Sequence, residues 1–185
     1  MERIFSYLEN VPPIPEELLT TREELLATTP LLEMYCDASN PIKWEYKESC
    51  NDPQLAFVLY TLPKEIFDWA EENLPWPLEP VVDPVLQPGG WYMLVYNNMV
   101  IHRDISRDMD YRVCLNYMVH QGGDNVNTIV YHDDGVEIEQ EIIIKNNSWT
   151  KVPMERLHTV NNVTDEPRMF VRFFLRKDIK WEDVY

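Results

Sequence analysis

The stretch Leu157-His158-Thr159-Val160-Asn161-Asn162-Val163-Thr164-Asp165-Glu166-Pro167-Arg168-Met169-Phe170-Val171-Arg172-Phe173 decides how this chain is read. Its two ends are short runs rich in β-branched and aromatic residues, and a polar turn separates them. In the second run Arg168 and Arg172 share one face by the period of two, with Phe170 between them and Phe174 beyond. A guanidinium aimed into an apolar interior needs an anionic partner, because an unpaired buried charge is expensive. A bidentate organic acid would supply it. So would a surface acid, of which this chain has many.

Working outward, similar runs recur from about residue 81. They are Val81-Val82, Trp91 to Tyr96, Met99 to Ile101, Arg112 to Val119, Thr128 to Tyr131, Val136 to Ile144, Thr150 to Val152, Leu157 to Val160 and Met169 to Leu175. Turn signals punctuate them: Pro88-Gly89-Gly90, Asn97-Asn98, Gln121-Gly122-Gly123-Asp124, Asp133-Asp134-Gly135 and Lys145-Asn146-Asn147-Ser148. Strands at this spacing read as a sandwich or barrel. Gly122-Gly123 and Asp134-Gly135 read as tight hairpins. The first half differs, because prolines cut it into short pieces. Pro63 to Leu74 reads as a helix, with Ile66, Phe67, Trp69, Ala70 and Leu74 as its apolar stripe. Glu16 to Leu26 holds a helix or two broken turns. The expectation is a mainly β domain with flanking helices: a helical or irregular layer over residues 1–75 and a β core over 80–175.

The bulk numbers fit one soluble domain of 185 residues, 45% hydrophobic and 26% charged. Sixteen basic against 32 acidic residues give a formal charge of −16, which disfavours nucleic acid as a partner. No apolar run is long enough to span a bilayer. The N-terminus lacks a signal-peptide pattern, so the expected location is the cytoplasm. The three cysteines, Cys36, Cys50 and Cys114, form no CxxC pair and fit a reducing compartment.

The chemistry lies in two separated segments. His102 and Asp104 stand two apart in Val100-Ile101-His102-Arg103-Asp104, so an extended backbone aims both to one side. His158 lies far downstream, at the start of a late run, and a sandwich can bring early and late strands face to face. Two imidazoles and one carboxylate form the ligand set of a mononuclear non-haem Fe(II) site with open positions. His120 and His132 flank the Gly122-Gly123 turn and read as surface residues. Arg107, Asp108 and Asp110 lie in a polar stretch that reads as a loop near the site. Trp91, Tyr92 and Tyr96 read mainly as core aromatics.

These segments resemble the 2-oxoglutarate- and Fe(II)-dependent oxygenase superfamily, in its phage-type and aspartyl- or prolyl-hydroxylase-like branches. The resemblance rests on His102-Arg103-Asp104, the strand Arg112 to Val119 with Leu115-Asn116, and the pattern running from His158 through Asn161 to Pro167-Arg168 and on to Phe173. It covers about residues 80–175. It implies a double-stranded β-helix, the jelly roll shared with cupins. It implies Fe(II) ligands at His102, Asp104 and His158, with 2-oxoglutarate and O2 as cosubstrates and Arg168 holding the distal carboxylate. Arg172 is the other candidate for that carboxylate. Asn116 would face the pocket near the cosubstrate, and Tyr92 would offer its hydroxyl there. The chain departs at Phe170, where many relatives carry Ser or Thr, and at Met118, where a proline is usual. The activity implied is hydroxylation of a C–H bond in a peptide side chain or small molecule, with 2-oxoglutarate decarboxylated to succinate and CO2. The alternative is a cupin-like metal- or ligand-binding protein without oxygenase activity. Oligomeric state is not legible.

Overall fold

The computed structural model describes residues 3–80, 89–104 and 113–185. Val81-Val82, and the polar stretch with Arg107, Asp108 and Asp110, lie outside the described residues. The strands are β1 (Ser6–Tyr7), β2 (Leu32–Asp37), β3 (Asn40–Glu45), β4 (Pro53–Thr61), β5 (Gly90–Val95), β6 (Cys114–His120), β7 (Asn127–Tyr131), β8 (Ile138–Ile142), β9 (Ser148–Val152), β10 (Leu157–Asn161) and β11 (Arg168–Phe174). The helices are α1 (Arg22–Leu26) and α2 (Lys64–Asn73), and Glu16–Leu18 forms one 3-10 turn.

Eight strands form a major sheet in the order β1-β9-β6-β11-β5-β4-β2-β3. A minor sheet runs β10-β7-β8, and an antiparallel bridge between His102 and His158 adds residues near 102 to its edge. Counting that segment as the second of eight, the pairing is nested. β5 pairs with β11, the 102 segment with β10, β6 with β9, and β7 with β8. This is one long antiparallel hairpin coiled on itself, so the chain alternates between sheets: a jelly roll, or double-stranded β-helix.

Period-two alternation on β11 builds two cores. Phe170 and Phe174 point between the sheets, into a cluster with Met93, Val95, Met118, Val130 and Val160. Met169, Val171 and Phe173 point outward, into a second cluster with Ile66, Phe67, Ala70 and Trp181. That outer layer is α2, the N-terminal segment and the C-terminal tail. Helix α2 forms where the apolar stripe required it. It stops at Leu74, which is extended (φ −84, ψ 137) because Pro75 disfavours the helical region in the residue before it. The tail is tied down by Lys151, whose Nζ donates to Trp181 O (3.1 Å) and Val184 O (2.7 Å).

Two expectations are corrected. The first 75 residues are not only helical or irregular: β2, β3 and β4 extend the major sheet. Pro53 opens β4 and Pro41 sits on the edge strand β3, two places where a missing N–H costs no ladder bond. Nor is Gly122-Gly123 a tight hairpin. It carries the chain from β6 in the major sheet to β7 in the minor one. Asp134-Gly135 does lie in the β7–β8 connection, but in a six-residue loop where the Asp134 carboxylate accepts from Val136 N and Glu137 N. Among the described residues, no helix is long and apolar enough to cross a membrane.

Candidate metal centre

The cluster starts from backbone pairing. His102 N–H donates to His158 O (3.0 Å), and His158 N–H donates to His102 O (2.9 Å), so the two histidines are cross-strand neighbours. Their rings therefore stand side by side, with centroids 4.3 Å apart. Asp104 N–H donates to Met154 O (3.0 Å), which fixes the segment two residues on. The carboxylate then meets both rings, with Oδ1 3.1 Å from His102 Nε2 and Oδ2 3.7 Å from His158 Nε2. Ligand atoms of all three residues lie within 4.8 Å of one another.

Each imidazole is oriented by a carbonyl two residues upstream. His102 Nδ1 lies 2.8 Å from Val100 O, and His158 Nδ1 lies 2.9 Å from Arg156 O. A carbonyl only accepts, so a proton belongs on each Nδ1. His158 Nε2 is left facing the carboxylate at 3.7 Å, and His102 Nε2 stands at hydrogen-bond distance from Asp104 Oδ1. Both Nε2 atoms and the carboxylate thus converge on one point, an arrangement that could hold a metal ion. Aromatic rings shield it: Trp44 lies edge-on to His102 (4.4 Å) and Phe5 edge-on to His158 (5.6 Å). Burial lowers the His158 pKa to about 4, so the ring is neutral, as a ligand must be. Burial alone would raise Asp104. The Arg172 guanidinium, helped by both imidazoles, outweighs it and holds the carboxyl well below its ordinary range.

The two arginines on β11 both face this space, and they differ. Arg172 Nη1 donates to Asp104 Oδ2 (2.6 Å), and its Nε donates to Asn116 Oδ1 (2.9 Å). Arg168 has no carboxylate partner among the described residues. Its Nη1 donates to the Thr128 hydroxyl (2.8 Å), and its Nε is buried without a partner. It is only 3% exposed, and burial lowers its pKa to about 10, with Arg172 adding repulsion. The Phe170 ring lies between the two guanidiniums, 6.0 Å from Arg168 and 5.5 Å from Arg172. Arg168 owes its position partly to Gly122 (φ +84). A Cβ there would lie 2.9 Å from Arg168 N.

One cavity is lined by His102, Asp104, His158, Asn116, Arg168 and Arg172. Tyr92 is not brought there. It faces the outer layer, where its hydroxyl accepts from Thr20 N–H (2.9 Å), because its neighbour Met93 takes the inward side of β5. His120, the last residue of β6, and His132, in the β7–β8 loop, are both exposed. Residues absent from the sequence reading also shape the site: Thr128 at Arg168, Phe5 and Trp44 on the histidines, and Met99 in the wall. The alternation of β7 would have placed Thr128 inward, but nothing local marks Trp44 or Phe5.

Fold and cluster together define a cupin-type jelly roll with a three-residue group, His158 buried and His102 and Asp104 half-buried, that could hold a metal ion. No protein-family model matches the chain, and no curated protein matches its sequence. Solved structures that it is similar to include a Trp-to-Tyr variant of Bacillus subtilis oxalate decarboxylase (14% identity, TM-score 0.40, covering 83% of this chain and 29% of that one). Another is the structure used to assign the Mn(II) centers of Bacillus subtilis oxalate decarboxylase (13% identity, TM-score 0.39, covering 85% and 30%). The chain thus spans under a third of the length of these matches. A likeness at this level carries no statement about activity.

Proposed function

We propose that this chain is an Fe(II)- and 2-oxoglutarate-dependent oxygenase that hydroxylates a C–H bond of a small molecule or peptide side chain. The observation that carries the reading is Arg168, a buried cation without an acid partner among the described residues, on the wall that holds the two histidines and one aspartate. A metal alone would leave that guanidinium unpaired. A dicarboxylate satisfies both ends: one carboxylate with its neighbouring keto group toward the metal, the other on Arg168.

The donor set fits the metal. His102 and His158 would each give Nε2, and Asp104 a carboxylate oxygen, leaving the remaining positions open. When bound, Fe(II) and 2-oxoglutarate supply the oxidising chemistry, in which O2 and the keto acid yield succinate, CO2 and a hydroxylated product. The chain's own residues orient and protect. Val100 O and Arg156 O fix the imidazole tautomers, the Thr128 hydroxyl holds Arg168, and Phe5, Trp44, Met93 and Phe170 keep bulk water away. The acidic surface favours a substrate that is not a polyanion.

The test is anaerobic loading with Fe(II), followed by calorimetric titration with 2-oxoglutarate and assay of succinate release in air, for wild type and His158→Ala. Iron-dependent succinate release lost in the variant is expected. Wild-type protein that binds neither Fe(II) nor 2-oxoglutarate would overturn the reading.

A further inference from the structure

The two arginines on β11 pose a question that the proposed function leaves open. Among the described residues Arg168 has no acid partner, whereas Arg172 has one, and that anion is the carboxylate of the candidate metal cluster. A carboxylate can give a metal one oxygen or two. Here the two oxygens of Asp104 are not equivalent. Oδ1 lies 3.1 Å from His102 Nε2. Oδ2 lies 2.6 Å from Arg172 Nη1, a short charge-assisted hydrogen bond, and stands farther from its own imidazole neighbour, His158 Nε2, at 3.7 Å.

Arg172 is itself held rigidly. It sits opposite Asn116 in the β11–β6 ladder, and Asn116 Oδ1 accepts from its Nε (2.9 Å). The Phe170 ring supports the guanidinium at 5.5 Å, and the residue is only 7% exposed. The clamp therefore runs from two neighbouring strands of the major sheet, across the cavity, to the aspartate beyond the edge of the minor sheet.

We infer that Arg172 is a positioning residue: it occupies Oδ2 of Asp104, so that a bound metal takes Oδ1 alone and keeps one more position open for an incoming ligand. The two cations then divide the work. Arg168 receives the ligand's far carboxylate, and Arg172 sets how many metal positions that ligand finds free. This inference rests on the metal reading above, and adds to it the role of a group outside the three ligands.

The test uses the full-length metal-free protein, titrated under argon with Co(II), whose visible absorption reports coordination number. 2-Oxoglutarate is then added. Arg172→Met removes the charge at similar volume, Arg172→Lys keeps it, and Asn116→Ala loosens the guanidinium; thermal melts establish that each is folded. The expected result is a changed Co(II) spectrum in Arg172→Met before any 2-oxoglutarate is present, with Co(II) affinity lowered roughly 10- to 100-fold, as for other supporting partners of metal ligands, and a raised 2-oxoglutarate Kd. Arg172→Lys restores most of each, and Asn116→Ala shifts the spectrum in the same direction by less. A metal-only spectrum identical to wild type in Arg172→Met overturns the inference, even if 2-oxoglutarate binding weakens, because Arg172 would then touch only the acid. If Arg172→Met does not fold, an unchanged spectrum in Asn116→Ala overturns it instead. Wild-type protein that takes up no Co(II) sinks the metal reading itself, a different failure from an Arg172 variant that behaves like wild type.

Discussion

Replacing Arg168 by Met should make the metal-free protein more stable while destroying its hold on 2-oxoglutarate. Burial lowers the Arg168 guanidinium from its ordinary 12.5 to about 10. At 1.36 kcal/mol for each tenfold change in proton affinity, keeping it charged costs the fold about 3 kcal/mol. Methionine relieves that cost but leaves the Thr128 hydroxyl without its partner, a loss of about 1 kcal/mol. The net gain is about 2 kcal/mol, or roughly 4–8 °C in Tm for a chain of this size. Binding moves the other way. A ligand carboxylate left without its buried cation loses roughly 3–5 kcal/mol, which is about 100- to several thousand-fold in Kd. Urea unfolding of the metal-free protein measures the first effect. The midpoint shift on adding 2-oxoglutarate to Co(II)-loaded protein under argon measures the second. The reasoning fails if Arg168→Met is less stable than wild type by more than about 1 kcal/mol while the 2-oxoglutarate shift survives. Arg168 would then be a structural cation, not a receptor for an anion.

Further outcomes follow from the same geometry. His158 is held near 4 when folded and titrates near 6.5 when unfolded, so its stabilising contribution is present above pH 6.5 and is lost as pH falls toward 4. Urea midpoints of the metal-free protein should show about 2 kcal/mol less stability at pH 5 than at pH 7 from this group, and the difference should vanish in His158→Gln. Tyr92→Phe should leave 2-oxoglutarate affinity within about twofold by calorimetry, because the hydroxyl meets Thr20 N–H in the outer layer; a larger loss would put Tyr92 back at the site. Gly122→Ala should destabilise by about 2 kcal/mol or more and weaken 2-oxoglutarate binding, since the new Cβ meets Arg168 N at 2.9 Å from a backbone at φ +84. Chemical denaturation and calorimetry on one preparation would check both.

The late strands were legible for a physical reason. Where one face of a strand is buried between sheets and the other beneath a helix, apolar residues run nearly without break, and the turns between strands need Gly, Asn and Asp. From Trp91 onward the chain follows this rule, and the runs read from sequence coincide with β5 to β11 within a residue or two, apart from the 99–101 run, which forms no strand and is followed by an isolated bridge at His102. β2 to β4 escaped notice because Pro41 and Pro53 looked like breakers, and only their edge and end positions make them harmless. Of the candidate residues, His102, Asp104, His158, Asn116, Arg168 and Arg172 do converge on one cavity. Tyr92 does not, because a one-residue step on β5 reverses the face.

By itself, then, the amino-acid order determined which segments are strands and which residue types are available for metal and anion chemistry, because periodicity and side-chain chemistry are local properties. Only the tertiary structure decided how those groups are used. The nested pairing makes His102 and His158 neighbours across a ladder, and the partners two residues upstream set their tautomers. It also separates Arg168 from Arg172, which the sequence left interchangeable on one face of one strand. Asp104 approaches from the other sheet and reaches Arg172 rather than Arg168, which among the described residues is a buried cation with no acid of its own.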